Sequence, residues 1–171
     1  MSLLKFFIIL LLPLTSLASE PAKVYRSSVY PASFRYTSTW EPVASQASST
    51  LVLLYERSGT GATANLSAIK ADQMAVTDYT EKYFSEVFGK SIPGFKMRSL
   101  KYVDTISGKM AQCEYDFILT VQDEKIDMSS MTAIRLDQGI RYMLVVNCMK
   151  ERISKVRADA EMMFGTFLNT K

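Results

Sequence analysis

The sequence predicts an α+β domain, an antiparallel sheet flanked by helices. Alternating apolar and polar residues recur in several runs separated by glycine-containing turns, whereas a helical period shows in only two well-separated places. No linker or internal repeat divides the chain between them, so a single domain over residues 30–168 is expected.

The first strand is expected near Tyr30, where Phe34 and Tyr36 alternate with Arg35, and Thr39-Trp40-Glu41-Pro42 ends it because proline cannot donate to a ladder. Residues 19–29 lack apolar periodicity and read as an extended lead-in. The runs 50–57 and 64–70 are rich in strand formers. Between them, Ser58-Gly59-Thr60-Gly61 has two glycines that permit positive φ, so the two runs form a hairpin. Val76, Thr80, Tyr83, Phe84, Val87 and Phe88 recur at three- and four-residue spacing. Thr77 is placed to cap that stripe, Asp78 suits the positive helix start and Gly89 follows, which predicts a helix over 77–88.

After Pro93-Gly94, strands are expected over 95–104 and 110–122, joined by Ile106-Ser107-Gly108-Lys109, and the polar stretch 123–127 reads as a loop. Two more strands, 128–136 and 140–148, meet at Asp137-Gln138-Gly139. From Met149 the period changes again. Ile153, Val156, Ala160, Met163, Phe164 and Phe167 line one stripe of a helix suited to docking on a sheet, with Lys150, Arg152, Lys155, Arg157 and Asp159 largely on the remainder.

Residues 3–12 are apolar except for Lys5. Together with small Ser16 and Ala18 they make the three parts of a secretory signal peptide, residues 1–18, cleaved after Ala18. Pro13, Thr15, Ser16, Ser19 and Glu20 cut the run short of the about 20 apolar residues that a spanning helix needs. The mature protein is therefore expected in the periplasm or secreted, without a transmembrane segment. Its composition, 48% hydrophobic and 22% charged, excludes collagen-like and disordered chains. The formal charge of +3 falls by one when Lys5 leaves, and the basic residues Lys150, Arg152, Lys155 and Arg157 share their stretch of helix, 150–161, with Glu151, Asp159 and Glu161. No concentrated cationic face for nucleic acid results.

The chain has no histidine. Ser–His and Cys–His nucleophiles, imidazole acid–base work and most zinc sites are thereby removed. Ser67-Ala68-Ile69-Lys70 has the Ser-x-x-Lys spacing, but on a strand an offset of three puts the two side chains on opposite faces. Gly89-Lys90-Ser91 copies the end of a phosphate loop while following a helix instead of opening one. Glu114 and Asp116 share a strand face, and Asp123, Glu124 and Asp127 crowd a loop that lacks the ligand pattern of a calcium site. Both groups read as solvated charge. No catalytic residue, metal site or cofactor is expected. Asn65-Leu66-Ser67 fits a glycosylation acceptor in a eukaryotic source alone.

For Cys113 and Cys148, an oxidising compartment favours a disulfide, whereas placement on strands either side of a third puts them about 9.6 Å apart, beyond the about 7 Å that a bridge tolerates. Bridge and buried thiols both stay open. Arg35, Tyr36 and Trp40 occur where a strand passes into a proline-containing loop, and Trp and Arg are common interface anchors, so these three are the candidate protein-binding residues. The alternative is a Trp40 folded over the core edge.

The order of these motifs resembles the PsbP-like family. Ser33-Phe34-Arg35-Tyr36-Thr37-Ser38-Thr39-Trp40 is similar to that family's opening aromatic strand followed by Trp, and Ala64-Asn65-Leu66-Ser67-Ala68 to its Asn-containing strand before a helix. Gly108-Lys109-Met110-Ala111, Tyr115, the strand from Gly139 to Val146 and the terminal helix ending near Phe164 and Phe167 complete the order. The family includes the extrinsic photosystem II protein, a nuclear import factor that binds a small GTPase, and bacterial envelope proteins of the DcrB type. The resemblance implies an α/β/α sandwich and a noncatalytic domain that works through protein contacts. Together with the signal peptide it leads to an exported protein-binding or assembly module with an envelope or secreted protein as partner. The alternative is a carrier of a small apolar or lipid ligand between sheet and helix, suggested by the ten methionines and abundant aromatics.

Overall fold

A computed structural model describes residues 22–71 and 74–167. The signal-peptide expectation at 1–18 lies outside the described residues. Two short strands, Lys23–Arg26 (β1) and Ser33–Tyr36 (β2), pair as a separate hairpin. Seven more form one antiparallel sheet: Trp40–Val43 (β3), Thr50–Glu56 (β4), Thr63–Lys70 (β5), Lys96–Thr105 (β6), Gly108–Val121 (β7), Glu124–Asp137 (β8) and Ile140–Met149 (β9). Their order across the sheet is β3-β4-β5-β9-β8-β7-β6. Every neighbouring pair is antiparallel, so tight turns suffice for most connections.

Alternation along the strands creates two apolar surfaces, and one helix covers each. The helix Glu81–Ser91 (α1) sets Phe84 against Ala111, Cys113, Tyr115 and Ile134. On the opposite face, Ile153–Gly165 (α2) buries Val156, Ala160, Met163 and Phe164 against Leu144, Val146, Met131 and the β1–β2 hairpin. Fully burying a large apolar side chain contributes about 1.5–3 kcal/mol, against about 0–1 kcal/mol for an exposed ion pair. Apolar contact therefore docks α2. Residues 129 to 135 of β8 are buried on both sides of the sheet, between α2 and the cluster around α1.

Four local expectations are corrected. The lead-in at 19–29 contains β1, which the short apolar content of Lys23–Arg26 did not reveal. Pro42 does not end a strand but lies inside β3, because β3 is the sheet's edge and its proline needs no outward donor. The helix begins after Thr80, not Thr77. Asp78 Oδ2 accepts from Ala75 N–H at 2.7 Å, closing a 3₁₀ turn over Val76–Asp78, and Tyr79 is buried, so the chain straightens only at Thr80, whose Oγ1 accepts from Tyr83 N–H at 3.2 Å. Gly89 then lies within α1, whose last bond is donated by Ile92 N–H to Phe88 O at 2.7 Å before Pro93. Finally, residues 124–127 are strand, not loop. Gln122 and Asp123 take positive φ of 49° and 69°, a two-residue turn joining strands of 14 residues each.

Gly94 packs closely on β7 where the chain leaves α1. Its φ is +66°, and a Cβ there would stand 2.6 Å from Ile118 Cγ1, beside the bond that Ile118 N–H donates to Pro93 O at 2.8 Å. Gly94→Ala is expected to destabilise the protein by about 2–3 kcal/mol in urea unfolding, whereas Gly59→Ala, with open space around it, costs only the φ strain of about 1 kcal/mol.

Candidate functional site

The groups with chemical potential are engaged in structure. Glu114 and Asp116 lie on the α2 side of β7, and instead of facing solvent as expected they are paired. The Arg157 guanidinium donates to both Glu114 oxygens at 2.6 and 2.9 Å and holds its carboxyl below the usual range. Asp116 accepts from Ser129 Oγ–H at 2.7 Å and faces Lys150 Nζ at 2.9 Å and Arg98 at 3.5 Å. Burial pushes its carboxyl up, but the Ser129 and Lys150 bonds outweigh that and leave it below the ordinary value. Asp123, Glu124 and Asp127 are exposed at the β7–β8 tip, and the described residues contain no group of three or more acidic or thiol side chains suited to a metal ion.

Cys113 and Cys148 are not brought together. Cys113 pairs with Thr132 and points toward α1, Cys148 pairs with Ser129 and points toward α2, and β8 runs between them. Both are free and buried. Burial pushes the Cys113 thiol up to about 12 and the Cys148 thiol up to about 11, so neither supplies a thiolate nucleophile at neutral pH. Ser67 and Lys70 lie on β5, where their odd offset separates them, and Asn65 is hemmed in mid-strand between Leu53 and Val145.

Arg35, Tyr36 and Trp40 do not form one surface. Trp40 is 0% exposed, and its indole N–H donates to Asp159 Oδ2 on α2 at 2.8 Å. Tyr36, 7% exposed, points inward beside Phe34. Arg35 alternates outward. Its backbone N–H donates to Thr166 Oγ1 at 2.9 Å, and the Thr166 hydroxyl donates to Met162 O at 2.7 Å, which fastens β2 to the end of α2.

Around Arg35 is a cleft of about 380 Å³ lined by Val24, Arg26, Ser33, Ile106 and the Gly165-Thr166 end of α2. Ile106 is 94% exposed, on the β6–β7 turn. That turn is fixed from below by Arg135, a buried guanidinium that donates to Ser107 O and, at 2.7 Å, to Phe167 O, with its charge 5.7 Å from the Phe167 ring centre. Sequence reasoning missed Arg135. The signal was a lone cation inside the apolar run 131–136, which a strand can bury only with partners supplied. Among the described residues, Lys23, Arg26 and Arg35 of the hairpin make no ion pair, and the stretch 22–36 contains no acid.

No protein-family description and no curated sequence matches the chain. Solved structures do. The cyanobacterial PsbP of Synechocystis sp. PCC 6803 superposes with a TM-score of 0.65 at 11% identity over 89% of this chain and 94% of its own. The chain has the PsbP-like fold. The Saccharomyces cerevisiae Ran-binding protein Mog1p shares this fold with a TM-score of 0.63 at 8% identity, over 90% of this chain and 97% of its own. Mycobacterium tuberculosis LpqN, involved in cell envelope biogenesis, gives 0.56 at 12% identity, over 90% of this chain and 88% of its own. At these identities the likeness shows the fold alone.

The ion pairs set an acid dependence. Glu114 and Asp116 have depressed pKa values in the folded state, so their stabilisation is complete above the unfolded carboxylate range, about pH 4–5, and is lost as pH falls through the folded values. Asp116→Asn is expected to cost about 1–3 kcal/mol at pH 7 and to flatten the fall in Tm between pH 6 and 3. For the thiols, a chromogenic disulfide reagent is expected to find two per chain in guanidinium under nonreducing conditions and to react far more slowly with the native protein. None in guanidinium would mean that a Cys113–Cys148 bridge forms.

Proposed function

We propose that the chain is an exported, noncatalytic protein-binding module of the bacterial envelope or secretome, and that it binds through the cleft around Arg35. The observation that carries this reading is an almost fully exposed Ile106 on an anchored turn, beside the unpaired Arg26 and Arg35. An apolar side chain rimmed by arginines matches the make-up of interface centres. The partner segment that fits is acidic with an apolar anchor. LpqN belongs to envelope biogenesis and Mog1p binds Ran, which supports a binding role for this fold. Export rests on the pattern of residues 1–18, and no helix of the described residues is long and apolar enough to cross a membrane.

A noncatalytic role is supported by the ion-paired carboxylates and the buried thiols. Helices buried on opposite sheet faces support the α/β/α sandwich as part of the same reading. The carrier alternative draws less support, since Met110, Met131 and Met163 are packed into the interior of the α2 side. A photo-crosslinking residue at position 106 of the exported protein is expected to capture a partner, and Arg35→Glu to cut the yield about tenfold, worth roughly 1.4 kcal/mol. Equal yield from position 82, on the far face of α1, or yield indifferent to Arg35→Glu, would sink the proposal.

A further inference from the structure

We propose that two copies of the chain pair through the outer edge of β8 at residues 125–127. The β7–β8 hairpin outruns its neighbours. On one side β9 stops where Met149 pairs with Met128, while β8 continues to Glu124 with β7 alone beside it. The unpaired edge opens on a cleft of about 430 Å³ lined by Lys125, Ile126, Asp127, Met149, Lys150 and Glu151. Open strand edges template the addition of another strand.

The occupant is a second copy because the edge is complementary to itself. Lys125 and Asp127 lie on one face of β8, Ile126 on the other. Their partners on β7 are Thr120 and Ile118, which carry no charge, and among the described residues neither Lys125 nor Asp127 makes an ion pair. An antiparallel pairing centred on Ile126 sets Lys125 of each copy opposite Asp127 of the other and the two Ile126 side chains against one another. A parallel pairing in register would oppose like charges. Opposite charges directly across a ladder stabilise it and like charges weaken it. The arrangement is isologous, as a two-fold dimer requires. The space beyond Met149 receives residues 125–127 of the second copy, and the new ladder ends there because Met149 already holds the place opposite Met128. The contact is short, so the dimer is weak and forms at high protein concentration.

Sedimentation equilibrium of the mature protein, over concentrations from about 10 μM to 1 mM, tests this. Concentration-dependent dimerisation that weakens with salt is expected. Lys125→Asp and Asp127→Lys should each lower the association constant about tenfold, and the double reversal should restore it. These positions are exposed, so unchanged circular dichroism confirms that the variants fold. A monomer throughout, a dimer unmoved by either single reversal, or a double variant no better than the singles would each overturn the proposal.

Discussion

One strand is buried from two sides, and the architecture is arranged around it. Residues 129 to 135 of β8 are covered by α2 on one face and by the α1 cluster on the other, whereas the flanking strands are closed on one face at most of their length. Burial on both sides forbids water as a partner for β8's own polar groups. Each of these side chains finds a partner in the protein: Ser129 donates to Asp116, Ser130 and Thr132 share a bond at 3.3 Å, and Arg135 reaches two backbone carbonyls through its terminal nitrogens, its Nε alone being left without one among the described residues. Asp116 in turn receives Arg98 of β6 and Lys150 after β9, so a single carboxylate ties four segments at the sheet's rim.

The same constraint separates scaffold from surface. Glu114 and the Trp40 indole hold α2 to the sheet, Asp116 ties neighbouring strands, and both thiols are buried. What remains outside lies on turns and on the small hairpin: Ile106 between β6 and β7, the cations on the strands β1 and β2, and the tip of β7–β8. Arg135 joins these levels, because the residue that satisfies a buried strand also fixes the turn that presents Ile106. Recognition surfaces of this kind need a stiff support, since ordering a loose loop would weaken binding.

Much of the fold was legible in the sequence because alternation and helical period are local signals. The stripe Val156, Ala160, Met163 and Phe164 is buried as its spacing requires, and the 50–70 hairpin pairs as its turn implies. Boundaries failed where a long-range partner decides. Thr77 and Thr80 are equal caps until Tyr79 must be buried, and residues 124–127 resemble a loop until β7 is laid beside them. The site was less legible. Arg35 is exposed as expected, yet Tyr36 and Trp40 beside it are interior, and what groups Arg35 with Arg26 and Ile106 is a meeting of segments about 70 to 80 residues apart in sequence. Glu114 and Asp116 looked idle because their cations stand on other elements.

Trp40 is the chain's one tryptophan, and it reaches Asp159 in the final helix. Its fluorescence therefore reports the seating of α2 onto a sheet whose strands all precede it in sequence. Emission follows completion of the core, while far-ultraviolet signals follow the strands, and the molecule carries in its own side chain the means of timing one against the other.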